Sequence, residues 1–199
     1  MSSDPSETKT RILSAALSLL EGGDVSIRMA DVARAAGISR QALYLHYPNR
    51  ADLLIATAKY IEDVEGMDAR LAPSRAATSG LVRLDAYIDA WAGWLPVIHG
   101  TAAALLAMLP TDEAAAAAWS DRMRAHREGC EAAVKALAKD GNLTPDYSVR
   151  QATDVLWTLL SMHNWETLTQ KCGWSHKRYV TATKDMARIL LTHGAPSSV

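Results

Sequence analysis

Between Met29 and Pro48 the chain must start a helix, stop it, start a second and stop again within about twenty residues. In "MADVARAAGISRQALYLHYP", Val32, Ala33 and Ala36 form an apolar stripe at helical spacing, and Ala33 is small where two helices have to cross closely. Gly37 follows, at the point where a tight turn demands left-handed backbone. Ser39 can cap the second helix, Leu43 gives it an inward residue and Pro48 ends it. Helix, glycine turn, helix at this length is the helix-turn-helix pattern. A plain αα-corner shares that pattern, so the surface of the second helix has to decide between them.

With Ala42 and Leu43 turned inward, Ser39, Arg40, Gln41, Tyr44, Leu45 and His46 are left for the outer faces. Arginine and glutamine can read guanine and adenine edges in a major groove, leucine can touch a thymine methyl, and hydroxyls suit phosphate oxygens. The whole chain is near neutral, with a formal net charge of −1. Residues 25–50 nevertheless hold Arg28, Arg34, Arg40 and Arg50 against Asp31 alone, a local positive field of the kind nucleic acid attracts. The expected DNA-facing set is Ser26, Arg28, Ser39, Arg40, Gln41, Tyr44, Leu45, His46, Tyr47 and Arg50. Within it Ser26 is also a candidate cap for the first helix, Tyr47 joins Leu43 in holding the second helix down, and Arg50 is a cation reaching for phosphate.

Helix signals run along the rest of the chain. Asp4, Pro5 and Glu7 make a capped start for a helix to about Glu21, where "ILSAALSLL" has core spacing and acidic flanks rather than the form of a leader peptide. Asn49 and Asp52 start another, predicted to run to about Arg70, and "LAPSRAATSG" at 71–80 is the compositional break. Further helices are predicted near 81–98, 101–109, 112–140, 148–171 and 175–193. "WAGWLPVIHGTAAALLAML" has no charged residue, but Pro96, His99, Gly100 and Thr101 interrupt it, which predicts two buried helical pieces and no membrane partner. Strand patterns and internal repeats are absent. The expected fold is therefore all-α, about nine helices. It divides into an N-terminal three-helix DNA-binding domain over 1–50, linked through a helix at about 50–70, and a helical domain over 51–199.

Cys130 and Cys172 stand far apart with no CxxC pair, as expected of reduced thiols in a cytoplasmic protein. His99, His163 and Cys172 have no metal-ligand spacing, so no metal and no cofactor is expected. No paired acid and base, activated nucleophile or phosphate loop is visible, which argues against an enzyme.

The stretch "SIRMADVARAAGISRQALYLHYPNRADLL" resembles the DNA-binding domain of the TetR family of transcriptional repressors. The resemblance rests on Ser26, Val32-Ala33, Ala36-Gly37-Ile38-Ser39, Leu43-Tyr44, Pro48 and Leu53, and with the preceding helix it covers about 50 residues. Tyr47 stands where that family usually has Phe, and Asn49-Arg50 where it usually has Ser-Lys. The resemblance implies a homodimer on a palindromic double-stranded operator, released by a small-molecule effector. A helical DNA-binding protein governed by a protein partner is the alternative.

It also implies that the last long helices pair with those of a second copy. Val155, Leu159, Leu160, His163, Tyr179, Thr183, Met186 and Leu190 lie at helical spacing and are the expected dimer interface. An effector chamber is expected among the middle helices, where all six tryptophans lie beyond residue 90. Its expected lining is Trp91, Trp94, Met108, Trp119, Met123, His126, Trp157 and Met162, with Cys130 nearby. Large rings and adaptable methionines suit an apolar or aromatic ligand, although any helical core uses the same residues.

Overall fold

A computed structural model describes residues 5–22 and 27–193 and is all-α, with no strand among those residues. The helices are α1 (Pro5–Glu21), α2 (Met29–Ala35), α3 (Arg40–His46), α4 (Arg50–Val64), α5 (Met67–Ala76), α6 (Gly80–Met108), α7 (Glu113–Lys139), α8 (Val149–Leu159), α9 (Met162–Glu166) and α10 (His176–Leu191), with a π-helical turn at Thr167–Lys171. The candidate caps Asp4 and Ser26 lie outside the described residues.

Two compact units emerge, the first holding residues up to Gly66 with Val97–Met123, the second Met67–Pro96 with the residues from Arg124 onward. In the first, α1 packs on α2 and α4, and α2 packs on α3. Its core draws Ile12, Ala16 and Leu20 from α1, Val32 and Ala33 from α2, Leu43 from α3 and Leu53 and Leu54 from α4, joined by Leu105, Met108, Ala115 and Ala118. In the second, Leu84, Ile88, Val134, Leu137, Leu156, Tyr179, Ala187 and Leu191 are all buried, and α8 packs on α10. The Lys184 ammonium meets Asp89 at 2.6 Å and the Arg188 guanidinium pairs with Asp85, so α10 is also tied to α6.

Several helix boundaries depart from the sequence expectation, each for a local reason. α4 ends at Val64 rather than near Arg70, because Gly66 adopts a φ of 70° and turns the chain into α5. The compositional break at 71–80 is instead helical to Ala76, with Pro73 inside the helix; buried Ser74 donates to the Arg83 carbonyl at 3.1 Å and fixes the segment. The two pieces expected across Pro96 are one helix of 29 residues. A proline costs a helix one N–H and a clash worth about 3 kcal/mol, and the burial of Trp91, Ala92, Trp94, Leu95, Ala102, Ala104 and Leu105 on either side outweighs it. α6 is also long and apolar enough to cross a membrane by length and composition, yet half of its most apolar window is buried within the structure. Finally, the helix expected over 148–171 breaks after Leu159. Ser161 starts α9 by accepting from Asn164 N at 3.3 Å, and the Asn164 amide donates back to the Thr158 carbonyl at 2.6 Å.

Candidate nucleic-acid interface and buried polar cluster

α3 is only seven residues long, too short to persist alone, and is held by what surrounds it. Gly37, at φ 66°, makes the turn out of α2. Ser39 then caps α3, its hydroxyl accepting from Ala42 N at 3.1 Å. Leu43 is completely buried and Tyr47 nearly so, and both belong to the core of the first unit. Pinned on that side, the helix turns Arg40, Gln41, Tyr44 and Leu45 outward, with His46 half-buried at its end. Leu45 is 81% exposed, a large apolar side chain with no packing role in the chain itself. Arg28 lies exposed just before α2, and Arg34 pairs with Asp31 at 2.8 Å.

Of the expected DNA-facing residues, Tyr47 keeps only its expected anchoring role and Arg50 is placed differently. Tyr47 is buried, and burial raises its phenol pKa; it is a core plug, and only its neighbours can meet a ligand from solvent. Arg50 was expected to reach for phosphate, yet its guanidinium turns inward. Its Nε donates to the Ile27 carbonyl at 2.7 Å, and it forms an ion pair with Asp112. Asp112 serves two elements at once, because its other oxygen accepts from Ala114 N at 2.9 Å and Ala115 N at 3.1 Å and so caps α7. Arg28, Arg40, Tyr44, Arg50, Met108 and Asp112 together border an open notch of about 520 Å³ on the first unit. Ser26, the remaining member of the expected set, lies outside the described residues.

The residues expected to line a chamber divide between the units. Met108 is in the core of the first unit and Trp119 packs against that core, because α6 and α7 both contribute to it; Met123, half-buried, closes the same unit. Trp91, Trp94, His126, Trp157 and Met162 belong to the second, where Trp157 is half-buried and the other four are buried. Trp91 and His126 meet directly, stacked with ring centroids 3.6 Å apart and planes 5° from parallel. The Tyr87 hydroxyl lies 3.0 Å from His126 Nδ1 and 2.9 Å from the His126 carbonyl oxygen, and Cys130 Sγ lies 3.8 Å from the same hydroxyl. The cluster has a steric condition, since any Cβ at position 129 would fall 2.4 Å from the Tyr87 oxygen, so Gly129 admits the phenol. Burial pushes the His126 pKa down to about 3 and the Cys130 thiol up to about 12, so both are neutral at ordinary pH.

The expected dimer residues divide as well. Leu160, Tyr179 and Thr183 are buried in the second unit and are core, because Tyr179, Thr183, Ala187 and Leu191 follow the i, i+4 spacing of α10's inner face. Val155, Leu159 and Met186 are half-buried, His163 is exposed, and Leu190 is 40% exposed beside Ile189 at 76%.

Residues 12–57 match the sequence profile described as bacterial regulatory proteins, tetR family. The HTH-type transcriptional regulator CymR of Pseudomonas putida is 42% identical over 69 residues, a match that spans 33% of this chain and 34% of that protein. Over this N-terminal stretch the chain is similar to the tetR family of bacterial regulatory proteins, and it spans about a third of the length of the curated relative it matches. About 95% of the chain follows the fold of solved bacterial and archaeal regulators, at identities that speak for fold alone. A TetR transcription regulator from Haloarcula marismortui superposes with a TM-score of 0.73 at 19% identity, covering 94% of this chain and 100% of that one. NalD, the secondary repressor of the MexAB-OprM multidrug efflux pump in Pseudomonas aeruginosa, gives 0.68 at 22% identity over 95% and 98%. A protein from Saccharomonospora viridis solved in complex with choline gives 0.75 at 18% over 95% and 100%.

The TetR match stops at residue 57, short of every member of the buried cluster. Tyr87 with Trp91 and His126 with Cys130 are two i, i+4 pairs, a spacing legible in the sequence, but nothing in the sequence says that the two pairs face each other. Asp112 was legible only as a helix start, since its partner Arg50 is far away along the chain.

Proposed function

We propose that this chain is a DNA-binding transcriptional regulator of the TetR type in which α3 is the recognition helix. It acts in the cytoplasm as a homodimer on a palindromic operator, and a small, largely apolar or aromatic effector releases it. The observation that carries this reading is the outer face of α3, where Arg40, Gln41, Tyr44 and Leu45 are exposed on a helix locked down by buried Leu43. Arg40 supplies two donors for a guanine edge, Gln41 a donor and an acceptor for an adenine edge, Leu45 an apolar contact for a thymine methyl, and Tyr44, Ser39 and Arg28 contacts to the phosphate backbone. Arg50, being tied to Asp112 and the Ile27 carbonyl, sets the positions of α2 and α4 instead.

One short helix reads too few bases to be selective, and two heads at roughly 34–36 Å or a multiple of it read a palindrome. The apolar strip Met186, Ile189 and Leu190 on α10, with Val155 and Leu159 on α8, supports pairing with a second copy. Gel shifts with upstream DNA test the reading. Gln41→Ala is expected to weaken operator binding by ~1–3 kcal/mol and to relax preference at one base position. Wild-type affinity and unchanged preference in both Arg40→Ala and Gln41→Ala would overturn it.

A further inference from the structure

In the cluster of Tyr87, Trp91, His126 and Cys130, every polar atom but one has a partner. His126 Nε2 is buried and makes no hydrogen bond, although the residue is only 4% exposed. A buried polar atom left without a partner is costly, so its chemical identity says what is missing there.

The neighbours fix that identity. Tyr87 has one hydroxyl proton and two short contacts to His126, 3.0 Å to Nδ1 and 2.9 Å to the carbonyl oxygen. If the proton pointed at Nδ1, two oxygens would face each other at the second contact with no hydrogen between them. Both contacts are satisfied only when the phenol donates to the carbonyl and receives from Nδ1–H. The Cys130 thiol, 3.8 Å from the phenol oxygen, can then use that oxygen's second lone pair. The imidazole is therefore the Nδ1–H tautomer, and the unpartnered Nε2 is a bare lone pair. The ring is clamped in this orientation by the Trp91 face, and Trp91 is itself anchored through its Nε1–H to the Leu160 carbonyl at 2.8 Å.

We infer that His126 Nε2 is the polar recognition point for the effector, and that the effector is an uncharged, apolar or aromatic molecule bearing an O–H or N–H donor, such as a phenol or an alcohol. The inference rests on the reading that this chain takes an effector at all. A lone pair selects for a donor and against a carboxylate, which would bring its own lone pairs and a charge into contact with it. Tyr87, Trp91 and Cys130, which contact the imidazole, carry no charge to meet an ionic ligand.

Three probes of one shape test this by calorimetric titration of the full chain: 2-naphthol, 2-methoxynaphthalene and 2-naphthoate. The first is expected to bind at least about tenfold more tightly than the second, which lacks only the donor, and the carboxylate more weakly than either. His126→Phe keeps a ring against Trp91 and removes Nε2, so it should erase the difference between naphthol and its methyl ether. Should that variant fail to fold, ¹⁵N spectra of histidine-labelled wild-type protein decide. They should report the Nδ1–H tautomer, with the Nε2 signal moving upfield when 2-naphthol is added and staying put with the ether. Equal affinities for naphthol and ether, or an Nε2 signal that naphthol leaves unchanged, overturn the inference. If naphthol is preferred as expected but does not lower operator affinity in a gel shift, the effector reading fails and the donor site stands. If none of the three binds, the inference falls, and the effector reading is left to the gel shift.

Discussion

α3 and the His126 turn of α7 solve opposite problems. α3 hides an apolar side, Leu43, and turns guanidinium, amide and phenol groups to solvent. α7 hides imidazole and thiol and builds a private network for them from Tyr87 on α6. The first arrangement leaves polar groups hydrated until a partner arrives, so it tolerates change on the outside and little on the inside. The second takes its polar groups out of water and pairs all of them but His126 Nε2, so its stability depends on the bonds that are made. Each unit should therefore be fragile in a different place.

The head should be most fragile at its apolar anchor. Leu43→Ala removes a completely buried side chain, and a cost of ~2–5 kcal/mol is expected in urea unfolding, with operator binding lost alongside it. If stability hardly moved while binding vanished, Leu43 would be a contact residue and the inside-outside contrast would break.

The second unit should instead be fragile to acid. His126 is held near pKa 3 in the fold against an ordinary value of 6.5. The unfolded chain therefore takes up this proton first as pH falls, and the contribution of His126 to stability is fully present above 6.5 and drains away between 6.5 and 3. The slope is about 1.4 kcal/mol per pH unit at most. Chemical unfolding at pH 6 and pH 4 should show a wild-type loss exceeding that of His126→Phe by roughly 2–3 kcal/mol; parallel losses would remove the imidazole from the account.

Gly129 sharpens the same contrast by its sign. Glycine to alanine inside a helix ordinarily gains up to about 1 kcal/mol. At position 129 the added methyl meets the Tyr87 phenol, so Gly129→Ala should cost ~1–3 kcal/mol instead. A stabilised variant, read from its thermal midpoint, would mean that the phenol can step aside.

The smallest expected effect separates two roles of one side chain. Asparagine caps a helix about as well as aspartate, so Asp112→Asn should keep the start of α7 and lose only the ion pair with Arg50, at about 1 kcal/mol. Asp112→Ala loses the cap too and should cost about 1 kcal/mol more. Indistinguishable unfolding curves for the two variants would leave the capping role without weight.

By itself the sequence determined the all-α class, the turn at Gly37, the Ser39 cap, the inward Leu43 and the outward residues of α3. All of these are local: a cap, a φ above zero and a helical period act within a few residues, so their signals are contiguous in the chain. The tertiary structure decided everything that depends on a distant partner. It turned Arg50 inward, because Asp112 and the Ile27 carbonyl wait for it across the fold. It carried α6 through Pro96, because burial on both sides outweighs one lost backbone bond. It also sorted the aromatic and methionine residues of the middle helices, placing Met108 in the first unit's core and stacking Trp91 on His126 in the second. Helical periodicity marks a side chain as inward, but which inward side chain it meets is fixed only when the helices pack.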